Sequence, residues 1–249
     1  MVSKRALTDS GWGLPFMRVD YKLLLRLLRG REGPESREAL AALCEVYWYP
    51  IYAFLRRRGR DAEEAGDLTQ AFFARLLEKE MLGSADPERG RFRSYLLKSL
   101  QNFVSNQDEH ARALKRGGDA TPISLDVEHA ESRYRLEPSH EVTPECLFER
   151  RWALALLDRI LSRLRQQSIR GKDGRTFDRL KIFLAGPLPN DSYAAAGSEL
   201  GLSEANVKVM VHRMRARYRE LLREEIGRTV ESPGEVEDEI NHLFEALAK

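Results

Sequence analysis

The residues with the most to offer a ligand are cations gathered on one stretch of chain. Lys208, His212, Arg213, Arg215, Arg217 and Arg219 fall within a segment, Ala205 to Arg219, that contains no acidic residue. Carried on a helix, they project a concentrated positive field, which is the chemistry of phosphate contact rather than of bond making or breaking. Val207, Met210, Val211, Met214, Tyr218, Leu221 and Leu222 recur between them every three or four positions, so they line one side of that helix and direct it at a core. A merely solvated basic helix normally interleaves glutamates as helix pairs. Their absence here favours DNA.

The sequence in front of this segment supplies the means to position it. Asp191 or Ser192 suits the cap of a short helix, and the small residues Ala195, Ala196 and Gly197 allow another helix to approach closely. Gly201 suits the left-handed position that ends the short helix, Leu202 is placed to bury itself under the turn, and Ser203 caps the basic helix with Glu204 at its positive end. The pattern is a helix-turn-helix whose second helix is strongly basic.

A second basic set lies earlier. Arg91, Arg93, Lys98, Asn102, Asn106, Arg112, Lys115 and Arg116 are interleaved with Phe92, Tyr95, Leu96, Leu100, Phe103 and Val104 on a helix expected from near Glu88. Before it, Ala65, Leu68, Thr69, Phe72 and Leu76 form the apolar stripe of another helix, with Asp67 and Gln70 off the stripe. Further upstream, Leu40 to Leu55 keep helical spacing, although Pro50 is expected to bend or split that helix. Gly59 and Asp61 close it and cap the next. The run Tyr47 to Tyr52 is aromatic enough for base stacking, but its spacing fits burial and it is read as core, as are Phe92 and Tyr95.

Composition bounds the remaining possibilities. The chain has 249 residues and a formal net charge of +2, so its total charge does not point to nucleic acid and only the separation of sign along the chain does. Cys44 and Cys146 lie far apart with no neighbouring ligand spacing, which predicts neither a disulfide framework nor a metal site and suits a reducing cytoplasm. The apolar run Leu23 to Leu28 is short and broken by Arg26, too little for a membrane span. No catalytic constellation and no cofactor motif stands out, so an enzyme is not expected.

The expected organisation is all-α, with two helical domains joined by a flexible linker. Residues 1–35 form an arm with a short helix near Tyr21 to Arg29, 36–116 a first domain, 117–144 a linker, 145–225 a domain holding the helix-turn-helix, and 226–249 an acidic tail. Glu231, Glu235, Glu237, Asp238, Glu239 and Glu245 accompany Ile240, Leu243, Phe244 and Leu247 there, a short amphipathic helix by pattern. The reversal of sign after Leu222 suggests that the tail folds back on the basic helix.

Three strings taken together resemble the bacterial sigma factors of the sigma-70 superfamily, and specifically their extracytoplasmic-function (ECF) type. Asp61 to Leu77, with its Asp-Leu-Thr-Gln run, is similar to the region 2 helix that docks on the polymerase. Gly90 to Asn106 falls where the family melts and reads the minus-10 element, and the helix-turn-helix falls where region 4 reads the minus-35 element. The resemblance implies no covalent chemistry. It implies core RNA polymerase, through its β′ clamp helices and β flap, and promoter DNA as partners, with an anti-sigma factor or a regulatory kinase as further candidates.

By the same resemblance, Asp67, Leu68, Gln70 and Phe73 contact the polymerase. Asn102, Phe103, Ser105 and Asn106 capture unstacked bases of the minus-10 element while Arg91, Arg93, Lys98, Arg112, Lys115 and Arg116 hold its backbone. At the minus-35 element, Ser203, Glu204, Asn206 and Lys208 reach base edges, and His212, Arg213, Arg215 and Arg217 contact phosphates or lie deeper in the groove. The rival readings are an operator-binding regulator that works without polymerase, and a decoy that mimics sigma regions.

Overall fold

A computed structural model describes residues 34–77, 91–113, 127–137, 142–168, 174–186, 192–230 and 232–248. The arm and its short helix near Tyr21, together with Lys115 and Arg116, lie outside the described residues. Every regular element among the described residues is helical.

Helix α1 (Pro34–Arg57) opens with proline at its first position, where a missing N–H costs nothing. It runs through Pro50 as one helix, so of the two outcomes expected there, a bend or a split, the split does not occur. The turns on both sides of the proline are anchored by burial, Leu43, Val46 and Tyr47 before it and Ile51, Tyr52 and Phe54 after it. Each such side chain is worth roughly 1.5–3 kcal/mol, enough together to offset the ~3 kcal/mol a helical proline costs. Gly59, at φ 89°, turns the chain, and Asp61 accepts the Glu64 N–H at 2.8 Å to cap α2 (Ala62–Leu77). Helix α3 (Phe92–Ala113) begins later than the pattern suggested.

Within the stretch expected as linker, residues Val127–Tyr134 form a short helix, α4. It lies across α1 and α2, because Glu131 accepts from Tyr52 Oη at 2.8 Å and from Arg56 at 2.9 and 3.0 Å. Arg56 also rests its guanidinium on the Tyr134 ring, 4.8 Å from the centroid. Gly66 lets α4 sit close: a Cβ there would lie 2.9 Å from Val127 Cγ2. None of these partners is near Glu131 in sequence, which is why a polar, Gly- and Pro-containing segment reads as linker from its local pattern.

Helix α5 (Pro144–Ser168) crosses the molecule and packs most extensively on α1, and also on the helices that follow it. Its buried face, Leu147, Phe148, Trp152, Leu156, Ile160 and Leu164, joins the α1 aromatics in the main core, with Tyr47 stacked on Phe148 at 6.5 Å and edge-on to Phe92 at 5.6 Å. The two helical blocks therefore meet along α5. A short helix α6 (Gly174–Leu180) and a 3-10 turn (Lys181–Phe183) lead to α7 (Tyr193–Leu200) and α8 (Glu204–Ile226). These enclose a smaller core of Leu180, Phe183, Ala196, Val207 and Val211, and Met214 packs against both cores.

The acidic tail forms helix α9 (Glu235–Ala248). Its main partner is α5, with a lesser contact to α8. The expected fold-back onto the basic face of α8 is thus corrected: α9 meets that helix only near its end, through Arg223 and Glu237 at 2.8 Å.

Candidate nucleic-acid interface

The α7–turn–α8 unit is built as its residues dictate. Ser192 caps α7 by accepting from Ala195 N at 3.1 Å, and Gly201 ends it at φ 68° in the left-handed region. Gly197 admits the turn itself, since a Cβ there would stand 2.6 Å from the Leu202 carbonyl oxygen. Ser203 then caps α8 by accepting from Asn206 N at 3.2 Å. Val207 and Val211 are buried and Met210 and Met214 half-buried, so the opposite side is forced outward.

That outward side carries most of the residues assigned to the minus-35 element. Ser203, Glu204, Asn206, Lys208, His212 and Arg213 are all exposed, with Arg219 further along. Lys208 pairs with Glu204 at 2.6 Å, a bond that holds its ammonium above the ordinary lysine pKa. Among the described residues none forms an ion pair with His212, Arg213 or Arg219. Two arginines are used differently. Arg215 donates to the Phe183 carbonyl at 2.6 and 3.0 Å, which fastens α8 to the turn before α7, and Arg217 binds Gln167 at 2.9 Å and Glu220 at 2.9 Å. In this conformation both serve the fold. Val209, 48% exposed in the middle of the basic face, was missed because only its helical position, and not its residue type, marks it.

On α3, Lys98, Asn102, Ser105 and Asn106 are exposed and follow one another at helical spacing along a single face. Phe103 is not on that face. It is 3% exposed and packs edge-on to Phe72 at 5.5 Å, so it shapes the core under the face instead of offering a ring to a base. Arg75 of α2, whose guanidinium lies 5.9 Å from the Phe103 ring, is exposed beside it and adds a cation that sequence reasoning did not include. Arg112 lies in the last turn of α3.

The start of α3 departs most from expectation. Arg93 is 3% exposed, with its guanidinium 4.8 Å from the Trp152 ring centre, and it pairs with Glu149 of α5 and with Glu239 of α9 at 3.1 and 3.2 Å. Arg91 reaches the same Glu239 carboxylate at 3.1 Å. Burial works against the charge of Arg93, but hydrogen bonding to Glu239 and the nearby Glu149 outweigh it and hold its pKa above the ordinary arginine value. Here Arg93 is a buried ion-pair residue, because the apolar face of α9 carries its carboxylate down to it. The Phe92 N–H, one of the donors a helix start leaves over, is taken by the Thr229 carbonyl at 3.3 Å.

Of the residues assigned to the polymerase, Asp67 is exposed and Gln70 half-buried on α2, while Leu68 packs partly into the core. Phe73 is 6% exposed against Phe72 and so lies under the surface in this conformation. Its burial follows from the helical spacing, which puts it beside the stripe formed by Thr69, Phe72 and Leu76.

Residues 47–114, which span the C-terminal part of α1 and all of α2 and α3, match the family model of Sigma-70 region 2. This stretch of the chain is similar to sigma-70 region 2. That match supports the role of a sigma factor in transcription initiation, with core RNA polymerase and promoter DNA as the partners the family implies. Among curated proteins and among solved structures, nothing matches the chain. Helices α5 to α9 lie beyond the region 2 match. No helix among the described residues is long and apolar enough to cross a membrane, and no His, Cys, Asp and Glu cluster among them has the makings of a metal site.

Proposed function

We propose that this protein is an ECF-type sigma factor that binds core RNA polymerase and directs promoter recognition, DNA melting and transcription initiation without catalysing a covalent step. The observation that carries the reading is the pairing of a region 2 match over 47–114 with a capped helix-turn-helix whose outward face is basic. Region 2 supplies Asp67 for the polymerase and the Lys98, Asn102, Ser105 and Asn106 face for the opened minus-10 strand. Amide hydrogen bonds hold extruded bases while the cations hold the backbone. The start of α8 enters the major groove at the minus-35 element, with Asn206 and Lys208 at base edges and Arg213 on phosphate.

Elements centred about 25 base pairs apart are separated by roughly 85 Å of B-DNA. At 1.5 Å per residue along a helix and about 10 Å across a helix contact, the path from Asn102 to Arg93, across to Glu149 and along α5 to Leu157, then through Tyr218 to Lys208 limits the separation of the two readers to roughly 60 Å. Simultaneous reading therefore requires the two blocks to separate. Separation exposes the apolar face of α5 at roughly 1.5–3 kcal/mol per large side chain, a cost that binding to the polymerase has to meet. Free protein is accordingly a weak DNA binder.

Run-off transcription from a promoter library, with core RNA polymerase in the presence and absence of the protein, tests the reading. Start sites that appear only with the protein are expected, and their alignment gives both elements. Absence of both transcripts and polymerase binding overturns it in favour of an operator-binding regulator.

A further inference from the structure

Helix α9 places one carboxylate where a DNA phosphate is wanted. Glu239 is fully buried, and both its oxygens are taken by Arg91 and Arg93 at 3.1 to 3.2 Å. Leu243 and Ala246 are buried on the same face of the helix, and His242 approaches Glu149, the other acid on Arg93, at 3.4 Å. A helix held for stability alone gains little from such an arrangement, because an apolar side chain of similar size in place of a buried ion pair is often equally or more stabilising. What the carboxylate adds is chemistry: two coplanar oxygens presented to guanidinium donors, the geometry in which arginine also takes the non-bridging oxygens of a phosphodiester.

We infer that Arg91 and Arg93 form an anion site at the start of α3 whose occupant in the free protein is Glu239, and that promoter DNA takes the site only after α9 has left it. The inference rests on the sigma factor reading given above. The surrounding contacts suit a part that is held and then released as a unit. In the segment joining α8 to α9, the Thr229 carbonyl accepts from the first N–H of α3, and Glu237 ties the outer side of α9 to Arg223 of α8 through a solvent-exposed pair. Withdrawing α9 thus removes, in one motion, a carboxylate from α3 and a tie to the recognition helix.

Hydrogen exchange of residues 235–248 in the full-length protein tests this, measured free, with core polymerase, and with polymerase on a promoter fragment obtained from the run-off screen. Protection in the free protein and exchange at least about tenfold faster in the promoter complex are expected, in line with ordinary coupling between sites. A second arm compares Glu239→Gln, expected to reach half-maximal transcript yield at about tenfold lower protein concentration, with Asp238→Asn, which removes an exposed charge one residue away and is expected to leave the yield unchanged. Transcripts made while α9 stays protected overturn the inference alone, as does a folded Glu239→Gln protein with wild-type yield. If Glu239→Gln does not fold, the exchange measurement on the wild-type chain decides. Wild-type protein that neither binds polymerase nor yields transcripts overturns the sigma reading itself, and the inference with it.

Discussion

The start of α3 and the outward face of α8 are both arginine-rich helical surfaces, and they have opposite fates. At α3 the cations are turned inward: Arg93 lies against Trp152 and shares two acids from helices that follow it by tens of residues to well over a hundred. At α8, Lys208, His212 and Arg213 face solvent, with one short-range pair between Glu204 and Lys208. Both segments interleave cations with apolar residues at helical spacing. The difference comes from what packs on top, since α9 brings a buried glutamate to α3 while its exposed Glu237 pairs with α8 at Arg223, more than two turns beyond Arg213. Charge on a helix is thus available or spent according to tertiary neighbours, and a basic pattern alone says only that cations are present.

The comparison is sharpest under mutation. Arg93→Ala leaves Glu239 and Glu149 in the interior without their cation, and urea unfolding is expected to show a loss of about 3–5 kcal/mol. Arg213→Ala is expected to change stability by less than about 0.5 kcal/mol while lowering the salt dependence of DNA binding by about one counterion. Equal stability losses at the two sites would break the distinction.

Base readout is the next largest effect. Lys208→Ala is expected to cost about 1–3 kcal/mol at particular base pairs, measured by competition among single-base promoter variants. A loss uniform across variants would move Lys208 to the phosphates, alongside Arg213. Removing the Ser203 hydroxyl as Ser203→Ala frees the N–H of Asn206 and is expected to cost roughly 1 kcal/mol in thermal or urea unfolding.

The smallest effect concerns a third arginine. Hydrogen bonding from Arg56 holds the Glu131 carboxyl below the usual glutamate range, despite partial burial that works the other way. A depressed carboxyl contributes stability that is complete above the unfolded glutamate value of about 4.3 and disappears as the pH falls through the folded value. Urea midpoints measured between roughly pH 5 and pH 3 should therefore fall more steeply for the wild type than for Glu131→Gln. Parallel curves would mean that α4 is held by Tyr134 and the apolar contacts alone.

What could be read in the chain was local. Ser192, Gly201 and Ser203 each occupy the capping or left-handed position their chemistry suits, and the periodic apolar residues of α1, α2 and α8 that the structure describes are buried or half-buried against the cores. What could not be read was partnership across distance. Glu131 reaches α1 over 75 to 79 positions and Glu239 reaches Arg93 over 146, and no window-based pattern carries that information. The same limit explains Phe103, whose type suits a ligand but whose packing on Phe72 depends on how α2 and α3 are placed. Pro50 failed as a breaker because the burial on both of its sides is likewise tertiary.

The separation of 146 positions between Arg93 and Glu239 also has a meaning in time. A ribosome adds roughly 5–20 residues per second, so on the order of ten seconds pass between the synthesis of one partner and the other. Throughout that interval the nascent protein presents Arg91 and Arg93 without the Glu239 carboxylate. Each newly made molecule therefore has a brief youth in which it is a different electrostatic object from the one in which α9 has docked.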